Sequence, residues 1–194
     1  MVELLLIGDT HIPDRASKVP EKLLSIIEDG KPWDIVVFTG DFTGLDTYKW
    51  FLGLGRKTYC VRGNMDYLPL PKTQKLIVNN IIIGVHHGDG VYPRGNPRGL
   101  TRIARELGVN VLFTGHTHSP FIKYGLTREI LLINPGSLTG VWGGGGGSMI
   151  PSMMILEISN DTIYVKHYEL LRSSEVKEKR IVIKRKDNIW EIIK

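Results

Sequence analysis

Cysteine is almost absent. Cys60 stands alone among 194 residues, so no internal disulfide can staple this chain, and the usage is that of a reducing compartment. Long hydrophobic runs are missing too. The longest aliphatic stretches, such as Leu4-Leu5-Leu6-Ile7 and Ile81-Ile82-Ile83, fall far short of the roughly 20 apolar residues that a membrane-crossing helix requires. The first residues, Met1-Val2-Glu3, carry neither the basic region nor the long apolar stretch of a secretory leader. These absences predict a cytoplasmic protein with no membrane insertion. Glutamine is scarce as well, with Gln74 alone, which fits avoidance of heat-labile side chains.

What is present is ordinary in bulk. Hydrophobic residues at 42% and charged residues at 23% suit one globular domain with a sizeable core. The formal charge of +5 is uneven. Residues 172–194 hold eight Lys/Arg against four Asp/Glu, a net of +4, which leaves +1 on residues 1–171. We therefore read 1–171 as the main body of the domain and 172–194 as a basic β-ribbon that extends it. A basic ribbon raises nucleic acid as a partner. A solvated ribbon with Lys and Arg on its outer face is preferred, because the basic part has one aromatic, Trp190, and no row of base-stacking rings.

Along the chain, Glu3 to Ile7, Ile35 to Phe38, Thr58 to Val61, Ile81 to Val85 and Val109 to Phe113 read as strands. Helices are expected after Pro20, over 44–54 with Tyr48, Phe51 and Leu52 on one face, and over 98–107. Asn79-Asn80 and Asn160-Asp161 mark hairpin turns. Further strands follow at 130–133, 152–158 and 162–170. Strand–helix alternation followed by strands predicts an α/β fold of two packed mixed sheets flanked by helices.

One regularity points to function. Five strands each end in a cluster containing Gly with Asp, Asn or His. They are Gly8-Asp9-Thr10-His11, Gly40-Asp41, Gly63-Asn64-Met65-Asp66, His87-Gly88 and Gly115-His116-Thr117-His118. Loops at the carboxyl ends of strands are where α/β sheets build ligand sites. On an extended segment, residues two apart point the same way, so Asp9 with His11, and His116 with His118, can each present two ligands to one side. Together with Asp41, Asn64 and His87 they form a mixed nitrogen and oxygen set, which suits Mn, Fe, Co, Ni or Zn better than Ca. His86 should point away from its neighbour and be packed or hydrogen-bonded. His167 reads as a surface strand residue, and Cys60 as a small buried hydrophobe. The run Gly143 to Gly147 reads as a flexible loop; without the Lys and Ser/Thr of a P-loop it is poor evidence for a phosphate cradle.

These five motifs, in this order, resemble those of the calcineurin-like metallophosphoesterases, and most closely the small phosphodiesterase branch. The chain is also similar to the small retromer subunit with this fold, through Asp9-Thr10-His11-Ile12-Pro13, Asn134-Pro135-Gly136-Ser137-Leu138-Thr139-Gly140, Ile150-Pro151-Ser152 and the basic ribbon. The likeness covers nearly the whole chain. It implies a metallophosphatase-like sandwich and a dinuclear centre, with one metal held by Asp9, His11, Asp41 and His118 and the other by Asp41, Asn64, His87 and His116. Asp41 would bridge the two. A carboxylate has two oxygens and can span cations about 3.5–4 Å apart, whereas an imidazole ligates only one. The implied activity is hydrolysis of a small phosphate ester, a diester before a monoester, by a hydroxide bridging two divalent ions, manganese first and Ni, Co, Fe or Zn as alternatives. Asp41, Asn64, Asp66 and His87 are the implied catalytic group, with Asp66 orienting a neighbour.

The chain departs from many relatives at Met65, where they carry a histidine that protonates the leaving oxygen; methionine cannot donate that proton. Asp89 offers a carboxyl that could take the role. Specificity should reside in loops 12–20, 65–74 and 89–98, which show no binding signature. The competing reading is a scaffold like the retromer subunit, whose pattern departs from the catalytic one at the positions of Asp41 and Asn64; both are kept here. Trp142, Met149, Ile150 and Trp190 either form a surface for a protein partner or second copy, or cover the core.

Overall fold

The computed structural model describes residues 1–193. The strands, in chain order, are β1 (Val2–Ile7), β2 (Trp33–Phe38), β3 (Gly55–Cys60), β4 (Thr73–Val78), β5 (Ile81–His86), β6 (Val111–Phe113), β7 (Phe121–Tyr124), β8 (Leu131–Asn134), β9 (Ser152–Ser159), β10 (Thr162–Leu170), β11 (Val176–Lys186) and β12 (Ile189–Ile193). The helices are α1 (Glu21–Asp29), α2 (Leu45–Leu52) and α3 (Pro97–Leu107). They build two mixed sheets, ordered β12-β11-β10-β9-β1-β2-β3 and β4-β5-β6-β8-β7. This is the expected α/β sandwich.

The all-apolar run Leu4 to Ile7 follows from the burial of β1 on both faces. Leu4 and Leu6 point between the sheets, where they meet Val37, Ile83, Phe113 and Leu156. Leu5 and Ile7 point outward, under Leu23 and Ile27 of α1 and Phe51 of α2. On the other sheet, α3 lays Leu100 and Ala104 over Leu112 and Leu132. The start of α3 is locally encoded. The Asn96 side chain accepts the Arg98 N–H at 2.9 Å, Pro97 occupies the first turn, and Gly108 ends the helix at φ 61°. In α2, Phe51 is buried but Leu52 is 44% exposed. The short helix turns that last residue away from the sheet.

Three points extend or correct the sequence reading. β7 was not foreseen. It is a half-buried edge strand with a Lys and a Tyr among its four residues, so it lacks the apolar run that marks its neighbours. Of the two readings of Trp190, partner surface and cover for the core, the second holds: it is fully buried. The β11–β12 hairpin turns at Asp187-Asn188, both with positive φ, and folds its inner face against the inter-sheet core. There Trp190 Nε1–H donates to the Asn110 carbonyl at 3.1 Å. His167 also faces inward; its Nε2 is buried, and it borders a cleft with Met154, Phe121 and Ile181. Trp142 and Met149 are exposed, at 60% and 47%. No helix among the described residues is long and apolar enough to cross a membrane.

Candidate metal centre

β1, β2 and β3 are mutually parallel, as are β5, β6 and β8, so their carboxyl ends deliver successive loops to one edge. The first two loops continue the register of their strands: the Thr39 N–H donates to the Ile7 carbonyl and the Asp9 N–H to that of Gly40, at 3.0 and 2.9 Å. Close approach at this edge needs glycine. A Cβ on Gly63 would lie 2.6 Å from Asp41 Cγ, and one on Gly115 would lie 2.5 Å from Asp9 Oδ2.

Asp9 and His11 do present their side chains together, but not by an extended chain. Asp9, His11, Asp41, His116 and His118 all have positive φ, between 47° and 67°. Non-glycine residues in this region cost about 1–3 kcal/mol each and persist where the surroundings over-determine them. Each loop therefore curls left-handed at its polar residues and turns their side chains inward.

Donor atoms of Asp9, His11, Asp41 and His118, all buried, lie within 4.8 Å of one another. His11 Nε2 is 3.1 Å from His118 Nε2 and 3.3 Å from Asp41 Oδ2, and His118 Nε2 is 3.3 Å from Asp9 Oδ1. A second group meets the first at Asp41. His87 Nε2 lies 3.4 Å from Asp41 Oδ2 and 3.2 Å from Asn64 Oδ1, and the His116 ring rests on that of His87 with centroids 5.1 Å apart. All seven candidate ligands are thus brought to one place.

A layer of hydrogen bonds aims them. His87 Nδ1–H donates to the Thr39 carbonyl and His118 Nδ1–H to that of Val141, each at 2.8 Å, so both rings turn Nε2 toward the cluster. Asp41 Oδ1 accepts the Met65 N–H at 2.8 Å, which leaves Oδ2 facing the histidines. Asp66 accepts three backbone N–H groups, from Asp41, Thr43 and Gly63, at 2.8–2.9 Å. It clasps the loop after β2 to the loop after β3. The Asn134, Ser137 and Thr139 side chains donate to the carbonyls of Gly115, Asp9 and Thr10, at 2.7–2.8 Å. The segment quoted above only as a likeness is therefore a brace for the ligand loops. His86 accepts the Gly88 N–H on Nδ1, as expected for a hydrogen-bonded neighbour.

The charges divide the histidines. Burial holds His11 neutral, pulled down to about 4 despite Asp41 and Asp9. Burial, with His87 and Arg94 nearby, brings His116 to about 4. Burial also opposes charge on His87, but its hydrogen bond to Asp41 and the Asp9 and Asp41 carboxylates win and lift it to about 9. His118 is likewise raised, against burial, by Asp9. Asp41 is drawn down to about 2: burial works against ionisation, and the His87 hydrogen bond and charge outweigh it. Without a cation there, a proton on His87 would sit between its imidazole and the Asp41 carboxylate. Nitrogen and oxygen donors this close, with Asp9, Asp41, His87 and His118 held by bonds to the backbone, fit a divalent cation that takes the place of such a proton.

Above the centre lies a cavity of about 240 Å³, whose walls add Arg15, Arg94, Met65 and Trp142 to the candidate ligands. Arg15 and Arg94 lie in two of the loops expected to set specificity, yet nothing in their local sequence marks them as partners. Asp89 is not among the lining residues; it borders a separate groove with Lys72, His86 and Arg102. The glycine run packs on the site: a Cβ on Gly143 would meet the His118 ring at 2.5 Å, and one on Gly144 would meet Arg94 Nη2 at 2.9 Å. Gly144, Gly145 and Gly146 have φ of 90°, 100° and 75°, conformations open to glycine alone.

Comparison with known proteins agrees with this geometry. A probable metallophosphoesterase of Methanocaldococcus jannaschii is 44% identical over 134 residues, covering 69% of this chain and 67% of the relative. Another, of Methanothermobacter thermautotrophicus, is 35% identical over 161 residues, 81% of this chain and 87% of the relative. The crystal structure of wild-type Vps29 from Entamoeba histolytica complexed with zinc superposes with a TM-score of 0.85 at 32% identity, covering 93% of this chain and 99% of that one. Residues 2–161, which supply every candidate ligand, match the sequence profile of the calcineurin-like phosphoesterase superfamily domain, and the chain belongs to that superfamily.

Proposed function

We propose that this metallophosphoesterase is a phosphodiesterase working with two divalent ions, manganese foremost. The supporting observation is the sharing of Asp41. One oxygen, Oδ2, lies 3.3 Å from His11 Nε2 and 3.4 Å from His87 Nε2, so it is common to both groups of donors. Asp9, His11, Asp41 and His118 would hold one ion, and Asp41, Asn64, His87 and His116 the other. Divalent ions so placed supply Lewis acidity to the phosphoryl oxygens and lower the pKa of water.

The chain's own residues do the rest. The Thr39 and Val141 carbonyls fix the orientation of His87 and His118, and the Met65 N–H fixes Asp41, so the ligands need no reorganisation when substrate arrives. Asp66 keeps Asp41 and Asn64 in register. Met65 lines the cavity but cannot give a proton to the departing oxygen. Esters with stable leaving groups are therefore favoured.

Likeness to Vps29 supports a second reading, a protein-binding scaffold that keeps a metal site. The two separate in one assay. Protein stripped of metal and resupplied with Mn²⁺ should hydrolyse bis-p-nitrophenyl phosphate, and Asp41→Ala and His116→Ala should abolish turnover with the circular dichroism spectrum intact. A wild type inert with Mn, Ni, Co, Fe and Zn would transfer the case to the scaffold.

A further inference from the structure

The cavity mouth carries two cations without counter-ions. Arg15 donates to the Trp142 carbonyl at 2.8 Å and Arg94 to that of Gly143. Neither forms a salt bridge among the described residues, and these are the two arginines that line the cavity. A carbonyl anchor uses one Nη1 of a guanidinium with five N–H donors, and leaves a fork free for phosphate oxygens. Both anchors belong to the segment that orients His118 through the Val141 carbonyl. One loop therefore sets a candidate ligand and two arginines around the same cavity.

The aromatic residues point the same way. The three most exposed are Tyr92 at 92%, Tyr67 at 81% and Trp142 at 60%. Tyr67 is three residues beyond Asn64, Tyr92 two before Arg94, and Trp142 lines the cavity itself. The Arg15 guanidinium covers the Trp142 ring at 5.8 Å from its centroid, which steadies the indole. Of the three, Trp142 is the one in the cavity wall, and an exposed indole beside two arginines offers a face to a planar ring attached to phosphate.

We propose that Arg15 and Arg94 grip the phosphate oxygens of the substrate and that Trp142 stacks a ring on its ester arm, so that the site takes small phosphodiesters of a nucleoside. This rests on the phosphodiesterase reading above. The basic ribbon plays no part in it: β11 and β12 close the far edge of the large sheet, separated from β1 by β10 and β9.

Two esters with one leaving group test the proposal, the p-nitrophenyl ester of thymidine 5′-monophosphate and methyl p-nitrophenyl phosphate. Manganese-loaded wild type should favour the thymidine ester in kcat/KM by about fivefold to a hundredfold, since a stacked base is worth about 1–3 kcal/mol. Trp142→Ala should collapse that ratio toward one. Arg94→Ala and Arg15→Ala should lower kcat/KM for both esters, with partial rescue by lysine. Binding supplies a second readout: calorimetry on zinc-loaded protein should show thymidine 5′-monophosphate binding more tightly than inorganic phosphate, with the difference lost in Trp142→Ala. Equal use of the two esters, with equal binding of the two ligands, overturns the stacking platform. Arginine variants matching wild type overturn the phosphate grip. A wild type that hydrolyses neither ester, yet binds the nucleotide through Trp142, leaves the recognition rim standing and removes the enzyme.

Discussion

Asp66→Asn tests whether the centre is built by its supporting shell. The carboxylate accepts the Asp41 and Gly63 N–H groups on Oδ2 and the Thr43 N–H on Oδ1. Asparagine has one acceptor oxygen. Its best placement keeps that oxygen at the Oδ2 position and satisfies two of the three donors, while its NH₂ faces the Thr43 N–H. One charge-assisted bond is lost, about 1.5–3 kcal/mol, and the two that remain become neutral and weaker. The sum is about 3 kcal/mol, a fall in Tm of roughly 6–12 °C for a domain this size. Function should suffer more than folding. The two bonds that weaken are those that hold Asp41 and Asn64 in register, and misplacement near 1 Å costs roughly 100-fold in rate. Thermal melts with and without Mn²⁺, alongside diester turnover, read both effects. An Asp66→Asn protein with unchanged Tm and wild-type turnover would refute the clasp. Loss of turnover without loss of stability would instead place Asp66 in the chemistry itself.

Three other perturbations follow from the same structure. Gly63→Ala puts a Cβ 2.6 Å from Asp41 Cγ, and should weaken metal binding roughly 10–100-fold, measured by competition with a chromogenic chelator; wild-type affinity would contradict the packing at that loop. Trp190→Ala empties a fully buried site at the sheet edge, and should cost about 3–5 kcal/mol in denaturant unfolding. A loss below about 1 kcal/mol would mean that the ribbon does not complete the core. Burial, with the nearby charge of Asp66, pushes the Cys60 thiol up to about 12, so it should resist Ellman's reagent at pH 8 in the native protein and react once the protein is unfolded; rapid native labelling would contradict its burial.

Much of the fold is legible in the sequence because strands buried on both faces write themselves as unbroken apolar runs. Leu4 to Ile7 and Val111 to Phe113 are of this kind. β7 and the ribbon are harder. β7 is an edge strand, and in the ribbon charged outward residues mask the inward ones, Ile181, Ile183 and Trp190, which the hairpin folds onto the core. His167 was misplaced for the same reason: alternation tells which residues share a face, not which face is covered.

The gathering of the ligands is legible too, for a topological reason. Polar clusters at the ends of mutually parallel strands must emerge at one edge, whatever lies between them in sequence. Their conformation is not legible, because left-handed backbone at Asp9, His11, Asp41, His116 and His118 is imposed by the loops they join. The rim shows the limit most plainly. Arg15, Arg94 and Trp142 come from three loops with no shared spacing, and their meeting depends on a glycine run that composition alone reads as slack. Gly143 and Gly144 lie where a Cβ would strike His118 and Arg94. At Gly143 glycine is therefore required for contact with the His118 ring, and at Gly144 chiefly by its φ of 90°. Alanine at either position should disturb a candidate ligand or an arginine while leaving the distant core intact.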